Sequence, residues 1–120
     1  MSSKSANYCF ANRDQPVGVL MLSEVALGKQ YTRTSAEYEA ARSCRKAKAD
    51  STWGLGKTAP DPKGAKTLPA DPEVTVPMGK GGPNAALQGK QSSLLYNEFI
   101  VYNTAQIRNR FILQVKFDFV

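Results

Sequence analysis

Hydrophobic and polar residues are distributed unevenly along this chain, and the longest apolar runs predict strands. One run follows Pro16 and extends from Val17 to Leu27, where Gly28 ends it. A run that is apolar at nearly every position is typical of a strand covered on both faces. A second run, Leu94 to Tyr102, also predicts a strand, although a single glutamate, Glu98, interrupts it.

The C-terminal residues predict a third strand, from Arg110 to Val120, because apolar and polar side chains alternate there. One face carries Phe111, Leu113, Val115, Phe117 and Phe119, and the other carries Ile112, Gln114, Lys116 and Asp118. This alternation is typical of a half-buried strand in an antiparallel sheet. The residues from 103 to 110 are too many for a tight hairpin, so a wide connection should join this strand to the previous one.

The remaining segments predict short helices and a long loop. Residues 2–12 lack strand alternation and should form a short helix or turn. Thr34-x-x-Glu37 matches a capping box, and an Ala-rich segment with a basic end follows it to Lys48, so we expect one exposed helix. Residues 54–90 are rich in Gly, Pro and Asp, which predicts a long loop with at most a short strand at Val74–Val76. Together these elements predict an α+β fold.

Composition and charge narrow the classes of protein. The chain has 120 residues, enough for one domain, and a net charge of +6, which favours polyanionic partners such as nucleic acid. The basic residues cluster at Arg42, Arg45, Lys46 and Lys48, and again at Lys57, Lys63 and Lys66. A solvated helix end and a flexible loop explain these clusters without any partner, and we favour this interpretation. No apolar run approaches the roughly 18 residues of a membrane span, and the N-terminus lacks a signal-peptide pattern, so we expect a soluble intracellular protein.

The reactive residue types limit the chemistry further. The chain contains no histidine, which excludes a Ser-His-Asp or Cys-His arrangement within it. Proton transfer would therefore require Glu, Asp, Lys or Tyr. Cys9 and Cys44 are too few for a disulfide framework and, without histidine, would make a poor zinc site, so we expect no metal.

Glu98 is the most unusual residue of the apolar runs. On a strand it shares a face with Tyr96, Ile100 and Tyr102. A carboxylate among such neighbours is either an ion-paired structural residue or part of a functional site, and the pattern leaves both interpretations open. Glu24 also lies in an apolar run, near its end, and there we expect a structural ion pair with a Lys or Arg.

Several long motifs occur in a fixed order along the chain: MSSKSANYCFA, VLMLSEVALG, GLGKTAPDP, VTVPMG and LLYNEFIVYNTAQIRNRFILQVKFDF. In this order they resemble the C-terminal half of the catalytic domain of the DNA-damage-dependent poly(ADP-ribose) polymerases. The resemblance implies an ADP-ribosyltransferase fold, with mostly antiparallel strands around a nicotinamide pocket. Residues 1–120 would be the C-terminal portion of that domain, a partial domain with a helical, basic insert near 34–50 and a long loop at 54–90.

The resemblance also implies an activity and a set of site residues. The family cleaves the bond between nicotinamide and ribose in its substrate NAD, then transfers ADP-ribose to a protein side chain or a growing polymer. Glu98 matches the catalytic glutamate, which stabilises an oxocarbenium-like transition state, holds the ribose 2′-hydroxyl and readies the incoming hydroxyl. Ser5 matches the serine that hydrogen-bonds the carboxamide, and Tyr8 matches a tyrosine that stacks on nicotinamide. Lys4 matches a lysine near the reacting sugar.

Departures from the family pattern change these expectations. The family's site histidine and a second stacking tyrosine lie upstream of the SKSANY motif, and this chain has no histidine. We therefore expect little activity from the chain alone.

Besides NAD, the implied partners are acceptor proteins, poly(ADP-ribose), and DNA bound through domains absent here, and the implied location is the nucleus. The Gly54-Leu-Gly56-Lys57 segment lacks P-loop spacing, so we do not interpret it as a phosphate loop.

Three other hypotheses remain open at this point. The chain could be a non-catalytic half-domain that serves as an interaction surface. It could be a basic nucleic-acid-binding module, in which case binding should fall steeply with salt and depend on Arg42, Arg45 and Lys46. It could also be a structural domain without a ligand, which would leave the matches at Ser5, Tyr8 and Glu98 as coincidences.

Overall fold

The computed structural model describes residues 2–120, so Met1, with which the first motif begins, lies outside the described residues. In chain order, the helices and strands of this part of the chain are α1 Ser2–Ala6, β1 Val17–Val25, β2 Gln30–Arg33, α2 Ala40–Lys46, β3 Ser51–Gly54, β4 Thr58–Pro60, β5 Lys66–Leu68, β6 Asp71–Val76, β7 Gly81–Pro83, β8 Glu98–Val101 and β9 Ile107–Lys116. Short 3₁₀ turns occur at Asn7–Cys9, Pro62–Gly64, Ala85–Leu87 and Thr104–Gln106. The α+β prediction is confirmed, and all strand pairings except that of β2 with β3 are antiparallel.

The chain divides into two compact units. The first, which we call the terminal unit, comprises the residues up to Ala26 together with Ala105–Val120. The second, the central unit, comprises Leu27–Thr104. Among the described residues, no helix of either unit is long and apolar enough to cross a membrane.

The terminal unit is built on the antiparallel pair of β1 and β9, whose register begins with Val17 opposite Lys116. Within the described chain this sheet has two strands, and many of its apolar side chains are exposed, including Ile112 at 73%. The prediction that the first apolar run is covered on both faces is therefore wrong for this chain. An apolar run indicates what a strand would bury, but a further layer of protein is needed to bury it.

The boundaries of β9 also differ from the prediction. The strand begins at Ile107 and ends at Lys116, and both of its faces expose large apolar side chains, so it is not half-buried. The expectation for Glu24 is confirmed, because its Oε2 accepts hydrogen bonds from Arg110 at 2.5 Å (Nη2) and 2.9 Å (Nε). Arg108 approaches the same oxygen to 4.0 Å. This ion pair spans β1 and β9.

The central unit contains a three-stranded sheet in the order β2, β3, β8. Strands β2 and β3 were not predicted, because their sequences QYTR and STWG are short and largely polar. Ser51 and Thr52 of β3 are nevertheless buried, and both hydroxyls are hydrogen-bonded. Ser51 Oγ donates to the Leu27 carbonyl at 2.7 Å, and Thr52 Oγ1 lies 2.6 Å from the Tyr102 hydroxyl. These bonds satisfy the polar groups that burial removes from water.

Helix α2 begins later than predicted, at Ala40, and its N-cap residue is Glu39, without a side-chain cap. The capping-box prediction at Thr34 is therefore wrong. Glu37 instead forms an ion pair with Arg33 at 2.9 Å and accepts a hydrogen bond from the Ser43 hydroxyl. Cys44 of α2 is only 1% exposed, so this side chain packs α2 against the interior of the central unit.

Residues 54–90 contain more regular structure than the predicted loop with one short strand. Two small antiparallel pairs form there, β4 with β7 and β5 with β6, and the predicted strand at Val74–Val76 lies within β6. Close backbone approaches permitted by glycine explain the difference: a Cβ added at Gly79 would lie 1.9 Å from the Asp61 carbonyl oxygen. Strand β8 is correspondingly shorter than predicted, beginning at Glu98 rather than Leu94.

Candidate active site

Ser5 and Tyr8 lie on one side of the first helical segment of the terminal unit. Ser5 belongs to α1 and Tyr8 to the 3₁₀ turn that continues it, so a spacing of three residues brings both to the same surface. Both line an open cavity of about 540 Å³, whose remaining lining is Ser2, Val19, Leu20, Met21, Leu22 and Leu113. A largely apolar cavity with a few polar groups is typical of small-molecule sites.

The position of this helical segment on β1 depends on Gly18. A Cβ at Gly18 would lie 2.7 Å from Cys9 Cβ and 3.0 Å from a ring carbon of Phe117. Glycine at this position therefore lets the 3₁₀ turn approach the strand closely. Tyr8 of this turn is 69% exposed and lies beside the cavity. Lys4 is half-buried on α1, and the described lining of the cavity does not include it.

Glu98 is the first residue of β8 in the central unit, where it is half-buried opposite Gly54 of β3. Alternation along β8 places Glu98 and Ile100 on one face, as the sequence predicted, whereas Tyr96 and Tyr102 of the predicted face lie just outside the strand. Thr52, opposite Ile100, holds the Tyr102 hydroxyl on that face. Gly54 has no side chain, and a Cβ added there would lie 2.7 Å from Leu94 Cδ1 and 3.5 Å from Glu98 Cβ.

The backbone leading into Glu98 is fixed by a network of amide groups. The Asn97 Oδ1 atom accepts hydrogen bonds from Gly56 N at 3.0 Å and from Asn84 Nδ2 at 2.9 Å. Asn84 Nδ2 also donates to the Gly56 carbonyl at 2.7 Å. A Cβ at Gly56 would lie 2.0 Å from the Tyr96 carbonyl carbon, so the two backbones are in direct contact. These contacts hold the segment before Glu98 in one conformation.

These positioning residues were not predicted from the sequence. The spacing of Gly54 and Gly56 does not fit a phosphate loop, but paired glycines also indicate places where two backbones approach closely. The Gly56 amide is in fact used by Asn97 within the protein. The Ser92 hydroxyl donates a hydrogen bond to the Leu55 carbonyl at 2.6 Å and accepts one from Leu94 N at 3.0 Å. Nothing in the sequence indicates this role except the polarity of serine.

Each unit therefore offers a different chemical capability. The terminal unit presents an aromatic ring and a hydroxyl on an apolar cavity, which suits a planar ring that carries a hydrogen-bonding group. The central unit presents a half-buried carboxylate on a rigid strand, which suits the stabilisation of developing positive charge or the binding of a hydroxyl.

Comparison with known proteins identifies the class. The family model for the poly(ADP-ribose) polymerase catalytic domain matches residues 1–117, and the chain belongs to this family. Its fold is accordingly the ADP-ribosyltransferase fold, as the motifs predicted.

Individual relatives agree with the family match. The chain is 47% identical over 119 residues to poly(ADP-ribose) polymerase 2 of Arabidopsis thaliana, 44% over 120 residues to poly(ADP-ribose) polymerase 2 of Homo sapiens, and 42% over 119 residues to poly(ADP-ribose) polymerase 1 of Gallus gallus. These alignments cover 99%, 100% and 99% of this chain. The chain spans only 18%, 20% and 11% of the length of these relatives.

Proposed function

We propose that this chain takes part in the transfer of ADP-ribose from NAD to an acceptor. In this reaction the bond between nicotinamide and ribose C1 breaks, the bonding electrons leave with nicotinamide, and an acceptor oxygen forms a new bond to C1. The observation that supports the proposal most strongly is a half-buried glutamate, Glu98, in a YNE segment of a chain that matches this family over residues 1–117.

We assign the electrostatic role to Glu98. A carboxylate near ribose C1 stabilises the positive charge that develops as nicotinamide departs, as in glycosyl transfer generally. The same carboxylate would bind the ribose 2′-hydroxyl and receive the proton of an incoming acceptor hydroxyl. The amide network around Asn97 supports this role, because a preorganised charge loses little free energy to reorganisation during the reaction.

Ser5 and Tyr8 are the proposed nicotinamide-binding residues. Both line the same cavity, so the Ser5 hydroxyl could bind a carboxamide while the exposed face of Tyr8 stacks on the ring. From the family resemblance we also propose that Lys4 lies near the reacting sugar. NAD is the proposed substrate, and acceptor proteins and poly(ADP-ribose) are the proposed partners. A nuclear location and contact with DNA through other domains are further parts of the proposal.

The chain alone should turn over NAD slowly. It contains no histidine, so it cannot supply the histidine that the family resemblance implies for binding NAD. Loss of several contacts that act together is not compensated by a single remaining carboxylate. Turnover by the isolated chain at the rate of a full-length relative would contradict this expectation.

The assignment of Glu98 can be tested in a chimera that carries this chain in place of the matching segment of the Homo sapiens relative. We expect Glu98→Gln to lower the rate of nicotinamide release at least about 100-fold, because the substitution removes the charge and conserves the size. The matched control is Glu39→Gln, which removes the same charge at the N-cap of α2 and should leave the rate unchanged. If the Glu98→Gln chimera keeps its rate, the proposed catalytic role is wrong.

The binding roles have a separate readout in the same chimera. Tyr8→Ala should raise KM for NAD, whereas Tyr8→Phe should change it little, since a phenyl ring still stacks. Ser5→Ala should also raise KM by removing a hydrogen bond. Equal effects of Tyr8→Ala and Tyr8→Phe would mean that the hydroxyl of Tyr8, rather than its ring, carries the role.

A further inference from the structure

The positive charge of the central unit is concentrated in one short segment. Residues 27–104 contain 11 basic and 7 acidic side chains, a difference of +4. Four of the basic side chains, Arg42, Arg45, Lys46 and Lys48, lie within seven residues that contain no acidic side chain. The rest of the unit is formally neutral, so the electrostatic attraction of this unit for anions should centre on α2 and its C-terminal end.

Helix α2 presents these charges on one face and in a fixed orientation. Arg42, Arg45 and Lys46 follow the spacing i, i+3, i+4, which places them next to one another on the helix surface. All three are exposed. Cys44 lies on the opposite side of the helix and is buried, and the Ser43 hydroxyl is bound to Glu37. The helix therefore cannot rotate its basic face away from solvent without breaking these contacts.

Of the nearby carboxylates, Glu37 and Asp50 are engaged elsewhere, and the exposed Glu39 forms no ion pair with these cations in the described part of the chain. Glu37 pairs with Arg33 at 2.9 Å, and Asp50 accepts a hydrogen bond from the Lys29 amide at 2.8 Å. None of the ion pairs formed by the described residues involves Arg42, Arg45 or Lys46. The three cations therefore remain available for an external anion.

An exposed aromatic residue precedes this helix. Tyr38, two residues before α2, is 101% exposed, the largest exposure of any aromatic residue in the described chain. Exposed aromatic rings beside cationic groups are the usual elements of single-stranded nucleic-acid binding, since bases stack on the ring while phosphates contact the cations. A duplex would keep its bases paired and unavailable for such stacking.

We propose that α2 and the preceding turn form a docking surface for single-stranded nucleic acid. Arg42, Arg45 and Lys46 contact successive phosphates, and a base stacks on Tyr38. The helix is about 10 Å long at 1.5 Å per residue, which suits about three phosphate contacts. The inference is independent of the proposed transfer reaction, because no residue of this surface belongs to the candidate active site.

The test is fluorescence anisotropy of a labelled 12-nucleotide oligo(dT) with the full 120-residue chain at several NaCl concentrations. Three phosphate contacts predict a slope of about −2 for log K against log[NaCl], at about −0.7 per contact with a single strand. Replacing Arg42, Arg45 and Lys46 together by Ala should lower the affinity at least about tenfold at low salt and bring the slope close to zero.

Substitutions of Tyr38 separate stacking from charge. Tyr38→Ala should weaken binding at least about fivefold without changing the salt slope, and Tyr38→Phe should leave both unchanged, because stacking requires only the ring. All of the substituted side chains are exposed, and circular dichroism together with the fluorescence of Trp53 would verify that each variant is folded.

Two results would overturn the proposal. The charge-matched control replaces Lys57, Lys63 and Lys66 by Ala, which removes the same three charges from exposed positions of the same unit. If this control weakens binding as much as the α2 variant, the attraction is diffuse and no docking surface exists. Duplex DNA and poly(ADP-ribose) with the same number of negative charges as the oligo(dT) serve as competitors. Tighter binding of either one than of oligo(dT) would show that the surface does not select single strands.

Discussion

The two units of this protein use their apolar residues in opposite ways. The terminal unit contains the most hydrophobic stretches of the chain, yet β1 and β9 expose much of their apolar surface. The central unit has a more polar sequence but contains the buried residues Cys44, Leu55, Ser51, Thr52 and Ser92. Hydrophobicity along a strand therefore does not by itself produce burial in this protein.

Different kinds of contact stabilise the interior of each unit. Strands β1 and β9 are joined by backbone hydrogen bonds along a long ladder, supplemented by the Glu24–Arg110 ion pair. In the central unit, short strands are connected by hydrogen bonds from side chains to backbone, such as those of Ser92 and Asn84, and by direct contact between backbones at Gly56. Single substitutions should therefore destabilise the central unit much more than the terminal unit.

The largest effect is expected from Gly56→Ala. A Cβ at this position would lie 2.0 Å from the carbonyl carbon of Tyr96, and backbone atoms cannot move aside as a flexible side chain can. We expect the free energy of unfolding to fall by about 4 kcal/mol, measured by urea unfolding followed through Trp53 fluorescence.

Gly82→Ala is the matched control for this substitution, because a Cβ there would have no neighbour within 4 Å. It should be neutral or slightly stabilising. Similar losses of stability for both variants would mean that the packing at Gly56 is looser than the structure indicates, and the proposed contrast between the units would lose its strongest support.

A comparison of two leucines gives the next largest effect. Leu55 of the central unit is 4% exposed, whereas Leu22 of the terminal unit is 44% exposed. Leu55→Ala should lower the free energy of unfolding by about 3 kcal/mol, since it removes buried methyl groups and leaves a cavity. Leu22→Ala should cost less than about 1 kcal/mol. Urea unfolding monitored by far-ultraviolet circular dichroism reports on both; equal losses would contradict the contrast in burial.

The smallest effect concerns the ion pair of the terminal unit. Glu24 and Arg110 are about a quarter to a third exposed, so solvent screens their attraction. A double-mutant cycle with Glu24→Gln and Arg110→Met should give a coupling energy of about 0.5 to 1 kcal/mol that decreases with added salt. Arg108, at 4.0 Å and more exposed, serves as the control and should show almost no coupling with Glu24. A large, salt-independent coupling would show that β1 and β9 depend on this pair.

Some features of the structure were predictable because they depend on neighbouring residues or on long motifs. The first apolar run predicted β1, and the alternation near the C-terminus predicted β9. The pattern around Glu24 predicted its ion pair, and the spacing of Ser5 and Tyr8 predicted their common side. The motifs SKSANYC and YNEFIVY also identified the family that the comparison confirmed. The roles of Lys4, Ser5, Tyr8 and Glu98 stay predictions until the substitutions described above are tested.

The sequence by itself determined the family, the α+β class and the positions of the longest strands, because these depend on local periodicity and on uninterrupted motifs. Only the tertiary structure decided which residues are buried, where α2 begins, and that residues 54–90 form two small sheets. Those features depend on contacts between residues far apart in the chain, such as Gly56 with Tyr96 and Ser92 with Leu55. No local pattern encodes such contacts, since the same glycine or serine would also be acceptable in an exposed loop.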